Sequence, residues 1–218
     1  WDSAGMTAES LCVACLFEDE AFLREQLDLS DMFGARTLVI ITGGFEALKS
    51  AGHNGDIDYA RSLLVERLAL AAELADSYRV RLAFEPLHPM VCGFRSIVST
   101  LQESLDILDQ MDASHNIGLA IDTYALWWEH DLQEKLKRAG NRILNYHVSD
   151  WLADTRDLRL DRGMPGDGQI ALCDWRHMIE AAGYFGPVEV EIFSRDRWWK
   201  TPAEKMIEEI IQRMNSAF

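Results

Sequence analysis

The sequence predicts an α/β fold built as a parallel β barrel of the (β/α)8, or TIM barrel, type. Short apolar runs alternate with longer segments whose apolar residues recur at helical spacing, a pattern typical of parallel strands joined by crossover helices. Acidic or imidazole side chains close several of these runs, as they do at the carboxyl ends of barrel strands. The chain has 218 residues, 48% of them hydrophobic, and can bury one core. Because no linker or low-complexity tract interrupts it, we expect residues 1–218 to form a single domain.

The alternation begins with the strand-like run 10–17. Segment 18–34 has apolar residues at helical spacing and stops at Gly34, so it is predicted to be a helix. The apolar run 37–42 predicts a buried strand, and the long amphipathic segment 57–78 predicts the next helix.

The middle of the chain repeats this order. Run 79–85 predicts a strand, and segment 96–111 predicts a helix that Ser96 would cap. Run 117–124 predicts the next strand, and segment 131–140 predicts a helix that ends at a glycine.

The last third contains two more predicted strands and two more predicted helices. Run 142–150 predicts a strand, and segment 173–183 predicts a helix after a long loop that contains glycines. Run 187–194 predicts the final strand, and segment 202–218 predicts a closing helix with Pro202 near its first turn.

Six predicted strands are two fewer than a closed barrel of this type contains. Residues 1–9 resemble the tail of a helix that stops at Gly5, and the first residue is not a methionine. We therefore expect an N-terminally incomplete barrel that lacks its first two βα units, roughly 60 residues at about 30 residues each. An open, doubly wound sheet of six strands is the alternative.

Charge and hydropathy disfavour several classes of protein. The net charge is −15 at pH 7 and the pI is about 4.7, so the backbone of a nucleic acid would be repelled. The apolar runs fall far short of the roughly 20 residues that span a membrane, and no export leader opens the chain, so we expect a cytoplasmic protein. Cys12 and Cys15 form a C-x-x-C pattern, but a spacing of three in a strand places them on opposite faces and disfavours a shared role.

Four residues with oxygen or nitrogen donors stand at or near the ends of predicted strands: Glu85, Asp122, His147 and Glu191. Any one alone is better explained as a cap, a loop residue or a core histidine, but the four together predict one metal site at the end of a barrel. Such donors, without cysteine, favour a single divalent ion, with manganese as first choice and magnesium, cobalt or zinc as alternatives. The ion would chelate neighbouring carbonyl and hydroxyl oxygens and acidify the adjacent C–H, whose proton a carboxylate can remove.

Five segments resemble the sugar phosphate isomerase/epimerase family of xylose-isomerase-like TIM barrels: EPLHPM (85–90), IDTYALWWEHDL (121–132), YHVSDW (146–151), RGMPGDG (162–168) and VEVEIFS (188–194). The resemblance implies that the four residues bind the ion and that Glu85 and Glu191 are the catalytic acid/base pair. The implied reaction is isomerisation or epimerisation of a sugar or sugar phosphate through a metal-stabilised enediolate. Two alternatives remain, a dehydratase acting on an inosose-like or dehydroshikimate-like compound and a catalytically impaired metal-binding accessory subunit.

The resemblance implies that Arg162 contacts the substrate. The other predicted substrate-binding residues lie in or after the ends of predicted strands: His88, Trp128 and Asp150. This chain has Ala125 at the position where the family pattern Asp-x-x-His has its histidine. Losing such a donor costs on the order of 10²-fold to 10³-fold in rate, so we expect weak activity, another donor such as His88, or a substrate with different oxygen placement. The expected partner is a small polyhydroxylated carbonyl compound, and open sheet edges make a homodimer plausible.

Overall fold

The computed structural model describes residues 5–50, 52, 56–111 and 116–217. Its centre is one sheet of six parallel strands, each paired with the next along the chain. The strands are β1 (Ser10–Cys15), β2 (Thr37–Ile41), β3 (Arg81–Phe84), β4 (Ile117–Asp122), β5 (Ile143–Val148) and β6 (Glu189–Val190). The helices are α1 (Glu20–Phe33), α2 (Phe45–Ser50), α3 (Ile57–Asp76), α4 (Leu101–Leu108), α5 (Thr123–Leu126), α6 (Leu132–Ala139), α7 (Leu172–Ala181) and α8 (Ala203–Ala217). Residues 1–4 of the predicted helix tail, and Phe218, lie outside the described residues.

The sheet is curled, so that side chains of its two edge strands meet across an interior. Ser10 of β1 donates a hydrogen bond of 2.7 Å to Glu189 Oε2 of β6, and Cys12 Sγ of β1 lies 3.9 Å from His147 Nε2 of β5. The predicted parallel α/β barrel is confirmed in a partial form with six strands. The proposed loss of two leading βα units stays a prediction.

The two faces of the sheet are buried in different ways. The outer face packs against the helices and forms the main core with Leu38, Ile40, Leu82, Phe84, Leu119 and Ile121. The inner face carries a small apolar cluster, Val39, Ala83 and Ala120, whose members have no exposed surface. Burial on both faces explains why these strands read as unbroken apolar runs in the sequence.

Four of the six predicted strands run at least two residues past the observed carboxyl end, and the structure shows the cause for two of them. The run 187–194 forms only the two-residue strand β6, because after Val190 the chain leaves the sheet and Phe193 O accepts a hydrogen bond of 2.9 Å from Arg162 N. The run 117–124 ends at Asp122, whose side chain accepts a hydrogen bond of 2.9 Å from Tyr124 N and so starts α5.

The predicted helix cap at Ser96 is also wrong. Helix α4 begins at Leu101, and Thr100 caps it by accepting a hydrogen bond of 3.0 Å from Glu103 N. Ser96 is buried, and its hydroxyl donates a hydrogen bond of 2.8 Å to Val98 O. A serine near the start of an apolar segment can either cap a helix or form a hydrogen bond within a turn. Here the Ser96 hydroxyl bonds within the turn that precedes α4.

Two features of the helices were not predicted. Helix α2 follows Gly44, where a Cβ would lie 2.2 Å from Phe94 O, so only glycine allows this close approach. Helix α8 leaves part of its apolar stripe uncovered, with Ile207 54% and Ile211 57% exposed. Among the helices of the described ranges, none is both long and apolar enough to pass through a membrane.

Candidate metal centre

The four predicted ligand residues lie at the carboxyl ends of neighbouring strands. Asp122 ends β4 and stands in register with His147 of β5. Glu85 directly follows β3, and Glu191 directly follows β6. Because the strands are parallel, their side chains meet at one end of the barrel interior, where TIM barrels carry their active sites. The structure therefore brings the four residues together, while metal binding itself stays a prediction.

The potential ligand atoms form two overlapping groups. Oxygens of Glu85, Asp122 and Glu191 lie within 4.8 Å of one another, and so do ligand atoms of Cys12, His147 and Glu191. His147 also adjoins the first group, because its Nδ1 lies 3.4 Å from Glu85 Oε1. Glu191 belongs to both groups and is the residue that links them. Cys12 was not predicted to lie here.

Two buried atoms of the predicted ligand residues lack a hydrogen-bond partner: Glu85 Oε1 and His147 Nδ1. Glu85 is only 5% exposed, and His147 is only 1% exposed. An unsatisfied buried polar atom costs about 1–3 kcal/mol, and a cation bound between these two atoms would remove that cost for both. Carboxylate oxygens with one imidazole nitrogen suit a divalent ion such as Mn²⁺ or Zn²⁺, so the residues present fit the predicted cofactor.

Burial dominates the acid–base properties of the centre. Burial raises the pKa of Glu191 to about 7; Arg162 opposes this shift, and the neighbouring Glu85 and Asp122 reinforce it. Burial lowers the pKa of His147, but Cys12 and the nearby glutamates outweigh burial and raise that pKa well above its usual value. Glu191 can therefore hold or release a proton near neutral pH, and an ion that binds His147 must displace a proton from it.

Arg162 is buried between two of the ligand carboxylates. Its Nη1 donates hydrogen bonds of 2.9 Å to Asp122 Oδ2 and 2.9 Å to Glu191 Oε2, and one of 3.3 Å to Ser149 Oγ. Its guanidinium carbon lies 4.4 Å from the centre of the Tyr124 ring. If the three carboxylates are ionised and an ion has displaced the proton of His147, three negative charges and one guanidinium leave two negative charges, which a divalent ion would balance. A direct contact of Arg162 with substrate stays a prediction.

An aromatic wall stands beside Arg162. The ring of His88 stacks on Trp151 at 4.7 Å, and Trp151 stacks on Tyr124 at 4.8 Å. The ring of Trp128 meets His88 edge-on at 6.0 Å. Met90 N donates a hydrogen bond of 3.2 Å to His88 Nδ1, so a neutral His88 carries its proton on Nε2. The structure thus joins the predicted substrate-binding residues His88 and Trp128 in one wall, and substrate contact stays a prediction.

Asp150 holds the loop that carries Arg162. Asp150 is fully buried, and its two carboxylate oxygens accept backbone hydrogen bonds from Trp151 N, Gly166 N, Gly168 N and Ile170 N at 2.8–3.0 Å. Four such bonds fix the backbone that presents Arg162 to the carboxylates. This role explains the burial of Asp150, and the predicted contact with substrate is untested.

Sequence reasoning missed a polar cluster deeper in the barrel, formed by Ser10, Asn145 and Glu189. Ser10 Oγ donates a hydrogen bond of 2.7 Å to Glu189 Oε2, and Asn145 Nδ2 donates one of 2.9 Å to Glu189 Oε1. Alternation in the strand was the available signal, because Glu189 and Glu191 are two residues apart and share one face.

Relatives of the chain include an isomerase. An inosose isomerase of Halalkalibacterium halodurans is 28% identical over 151 residues, which are 66% of this chain and 50% of that protein. The chain thus spans about half the length of this curated relative. Among solved structures, protein SMc04130 from Sinorhizobium meliloti 1021 is 38% identical with a TM-score of 0.89, over 99% of this chain and 80% of that one. The IOLI protein, solved with a bound zinc atom, has a TM-score of 0.80 at 20% identity, over 97% of this chain and 76% of that one, and supports the fold.

The family assignment follows from a match over most of the chain. The model of the xylose isomerase-like TIM barrel family matches residues 18–217, which include every strand after β1 and all four predicted ligand residues. The resemblance noted in the sequence is therefore confirmed at the level of the family. The chain belongs to the xylose isomerase-like TIM barrel family.

Proposed function

We propose that this chain belongs to a divalent-metal-dependent isomerase or epimerase that acts on a small polyhydroxylated carbonyl compound. The observation that carries the proposal is the convergence of Glu85, Asp122 and Glu191, with oxygens within 4.8 Å of one another, beside the unpartnered His147 Nδ1. A buried group of three carboxylates is unfavourable unless cations compensate it, and with a neutral, ion-binding His147 the guanidinium of Arg162 supplies one positive charge. The isomerase among the curated relatives supports a reaction of this general kind.

The two glutamates are suited to move a proton in the reaction. Glu191 can accept the proton on the carbon beside a carbonyl and give it up again, because its carboxylate lies within 4.8 Å of the other carboxylates of the group. Glu85 is the other glutamate of the group, with an oxygen within 4.8 Å of Glu191, and it would return the proton to the opposite face, which is epimerisation. When bound, the divalent ion would polarise the carbonyl oxygen and lower the energy of the charge that develops there.

Other residues would bind and orient the substrate. Arg162 holds Asp122 and Glu191 at fixed separation through Nη1, while its buried Nε has no hydrogen-bond partner and leaves a donor for a substrate oxygen. The wall of His88, Trp128 and Trp151 would cover one face of a sugar and exclude water from the site of proton transfer.

His88 is the proposed replacement for the donor that Ala125 cannot supply. Its Nδ1 accepts the Met90 N–H, so its Nε2 carries the proton. Burial lowers the pKa of His88, which keeps the ring neutral near pH 7. A neutral imidazole N–H in a fixed orientation is a suitable donor to a developing oxyanion.

We expect His88→Gln to lower the rate of substrate proton exchange by about 10²-fold. Ala125→His should restore part of that rate in the double variant, because it puts a donor back at the family position. Ala125 is buried in the core, so the added ring should also destabilise the protein by about 1–3 kcal/mol. Exchange rates and urea unfolding of the wild type, both single variants and the double variant measure these effects. Equal exchange rates for His88→Gln and the wild type would show that His88 is not the hydrogen-bond donor.

The function is tested by metal analysis and by proton exchange in heavy water. Purified protein should contain about one divalent ion per chain, and an inosose or a keto-sugar should gain deuterium beside its carbonyl when protein is added. Product mass and ultraviolet absorbance separate isomerisation from dehydration, because loss of water forms a conjugated enone. Metal binding without deuterium incorporation in a broad substrate panel would contradict the proposed isomerase or epimerase activity and would favour a metal-binding accessory subunit.

A further inference from the structure

We propose that Tyr124 is a positioning residue whose ring holds the guanidinium group of Arg162 in the orientation that bridges Asp122 and Glu191. This inference rests on the proposed function, in which Arg162 orients the two carboxylates and the substrate. It goes beyond that function because it gives a part in the reaction to a side chain that neither the proton transfer nor the substrate wall uses. Tyr124 acts through Arg162 and exchanges no proton with the substrate.

Tyr124 is fixed at both of its ends. It lies in α5, two residues after Asp122, and is only 2% exposed. Its backbone N–H donates a hydrogen bond of 2.9 Å to Asp122 Oδ1, and its hydroxyl donates one of 3.2 Å to Leu158 O in the loop after β5. The ring between these two anchors cannot move away without breaking the hydroxyl bond. Its position relative to Asp122 is therefore set by the fold.

The hydrogen bonds of the Arg162 side chain do not by themselves fix the plane of its guanidinium. All three of them, to Asp122 Oδ2, Glu191 Oε2 and Ser149 Oγ, are donated by the same atom, Nη1. The buried Nε has no hydrogen-bond partner. Bonds that meet at one atom fix the position of that atom but leave the planar group free to tilt around it. A second restraint is needed to hold Arg162 in one orientation.

Two aromatic rings supply that restraint. The guanidinium carbon of Arg162 lies over the ring of Tyr124, at 4.4 Å from its centre, and over the ring of Phe193, at 5.1 Å from its centre. A guanidinium stacks on aromatic faces, and the attraction is stronger at a buried site than at the surface. Tyr124 is the nearer ring and the more deeply buried residue, so it contributes most to the orientation of Arg162.

The same ring joins Arg162 to the aromatic wall. Tyr124 stacks on Trp151 at 4.8 Å with 30° between the ring planes, and Trp151 stacks on His88 at 4.7 Å with 27° between the planes. The position of the guanidinium relative to the wall therefore depends on Tyr124. A substrate that lies against the wall would meet a displaced cation if the ring were lost, and a displacement of about 1 Å can cost about 10²-fold in rate.

The first experiment compares Tyr124→Leu, which removes the ring, with Tyr124→Phe, which removes only the hydroxyl. Tyr124→Leu should lower the rate of substrate proton exchange by roughly 10-fold to 100-fold, whereas Tyr124→Phe should stay within about fivefold of the wild type. Trp175→Leu removes a similarly buried ring from α7 and should leave the rate per folded protein unchanged. Circular dichroism measures the folded fraction. Equal losses in Tyr124→Leu and Trp175→Leu, or in Tyr124→Leu and Tyr124→Phe, would overturn the role of the ring.

The second experiment observes Arg162 directly and needs neither substrate nor metal. In ¹⁵N-arginine-labelled protein, the Nε–H proton signal of Arg162, assigned by its loss in Arg162→Met, should lie upfield of its usual position, because an aromatic ring shields a group stacked on its face. Tyr124→Leu should move the signal back toward the usual position, and Tyr124→Phe should leave it in place. If Tyr124→Leu does not fold, Phe193→Leu removes the other ring and should move the signal in the same direction. An Arg162 signal that stays unchanged when a ring is removed overturns the proposal.

A double variant tests whether Tyr124 acts through Arg162. In protein that carries Arg162→Met, the further change Tyr124→Leu should alter the exchange rate by less than about twofold, because the group that the ring positions is already absent. A further loss of about 10-fold or more would show that Tyr124 acts on the substrate independently of Arg162, and it would overturn the proposal. Wild-type protein that exchanges no substrate proton would remove the proposed function, while the Nε–H signal of Arg162 would still decide this inference.

Discussion

Replacing Glu191 with glutamine should lower the rate of substrate proton exchange by about 10³-fold or more, the largest loss we expect for a single substitution. General acid–base catalysis contributes typically 10²-fold to 10⁴-fold, and glutamine cannot accept the proton. Glu191 also belongs to both groups of potential ligand atoms and accepts a hydrogen bond of 2.9 Å from Arg162. The substitution therefore removes the proposed base and one metal ligand together.

The two losses can be separated by measuring exchange across a range of metal concentrations. If Glu191 is only a ligand, saturating metal should restore the rate of the glutamine variant; if it is also the base, the rate should stay low at saturation. Glu204→Gln, on the exposed side of α8, provides the control for loss of a carboxylate. Full exchange activity in Glu191→Gln at saturating metal would assign the acid–base role elsewhere.

The second large effect is expected for Arg162→Met, measured as stability in the absence of metal. Arg162 is buried and bridges Asp122 and Glu191, so methionine would leave two buried carboxylates without their cation. Removing one partner of a buried ion pair typically costs about 3–5 kcal/mol of unfolding free energy. A divalent ion bound by the same carboxylates should restore much of this loss.

Urea unfolding with a chelator and with excess Zn²⁺ measures both parts of that expectation. The difference between the two conditions should be larger for Arg162→Met than for the wild type, because the variant depends on the ion for its charge balance. Arg24→Met removes an arginine from an exposed pair with Glu20 on α1 and should change stability little. Equal stability of Arg162→Met and wild type in chelator would show that the carboxylates do not need the guanidinium.

The sequence was sufficient to predict the features that depend on periodicity and on strand ends. The runs around Leu38, Leu82 and Leu119 are buried on both faces and so appear as continuous apolar strands. Their neighbours at the strand ends, Glu85 and Asp122, converge because parallel strands present their carboxyl ends to one side. These predictions needed no contact between distant residues to be known in advance.

The features that were missed depend on contacts between distant segments. Nothing local to Glu189 indicates that Ser10, 179 residues away, donates to it. The early end of β6 depends on the backbone bond between Phe193 and Arg162, which appears only once the loop is placed. The sequence predicts Asp150 as a substrate-binding residue, whereas the structure shows that it accepts four backbone hydrogen bonds. Three of the four donors lie 16 to 20 residues further along the chain, so the pattern around Asp150 does not indicate them.

The apolar layer inside the barrel sets how deep a bound ion can sit. Ala83 and Ala120 lie two residues before Glu85 and Asp122 on the same strands, so they are about 7 Å below them on the same face. Together with Val39 they present only hydrocarbon and exclude solvent. Polar side chains complete this level, because Asn145 and Glu189 lie two residues before His147 and Glu191. The floor is therefore hydrocarbon beneath Glu85 and Asp122 and polar beneath the other two residues, and a bulkier side chain at Ala83 or Ala120 would push a ligand of Glu85 and Asp122 toward solvent, which screens its charge.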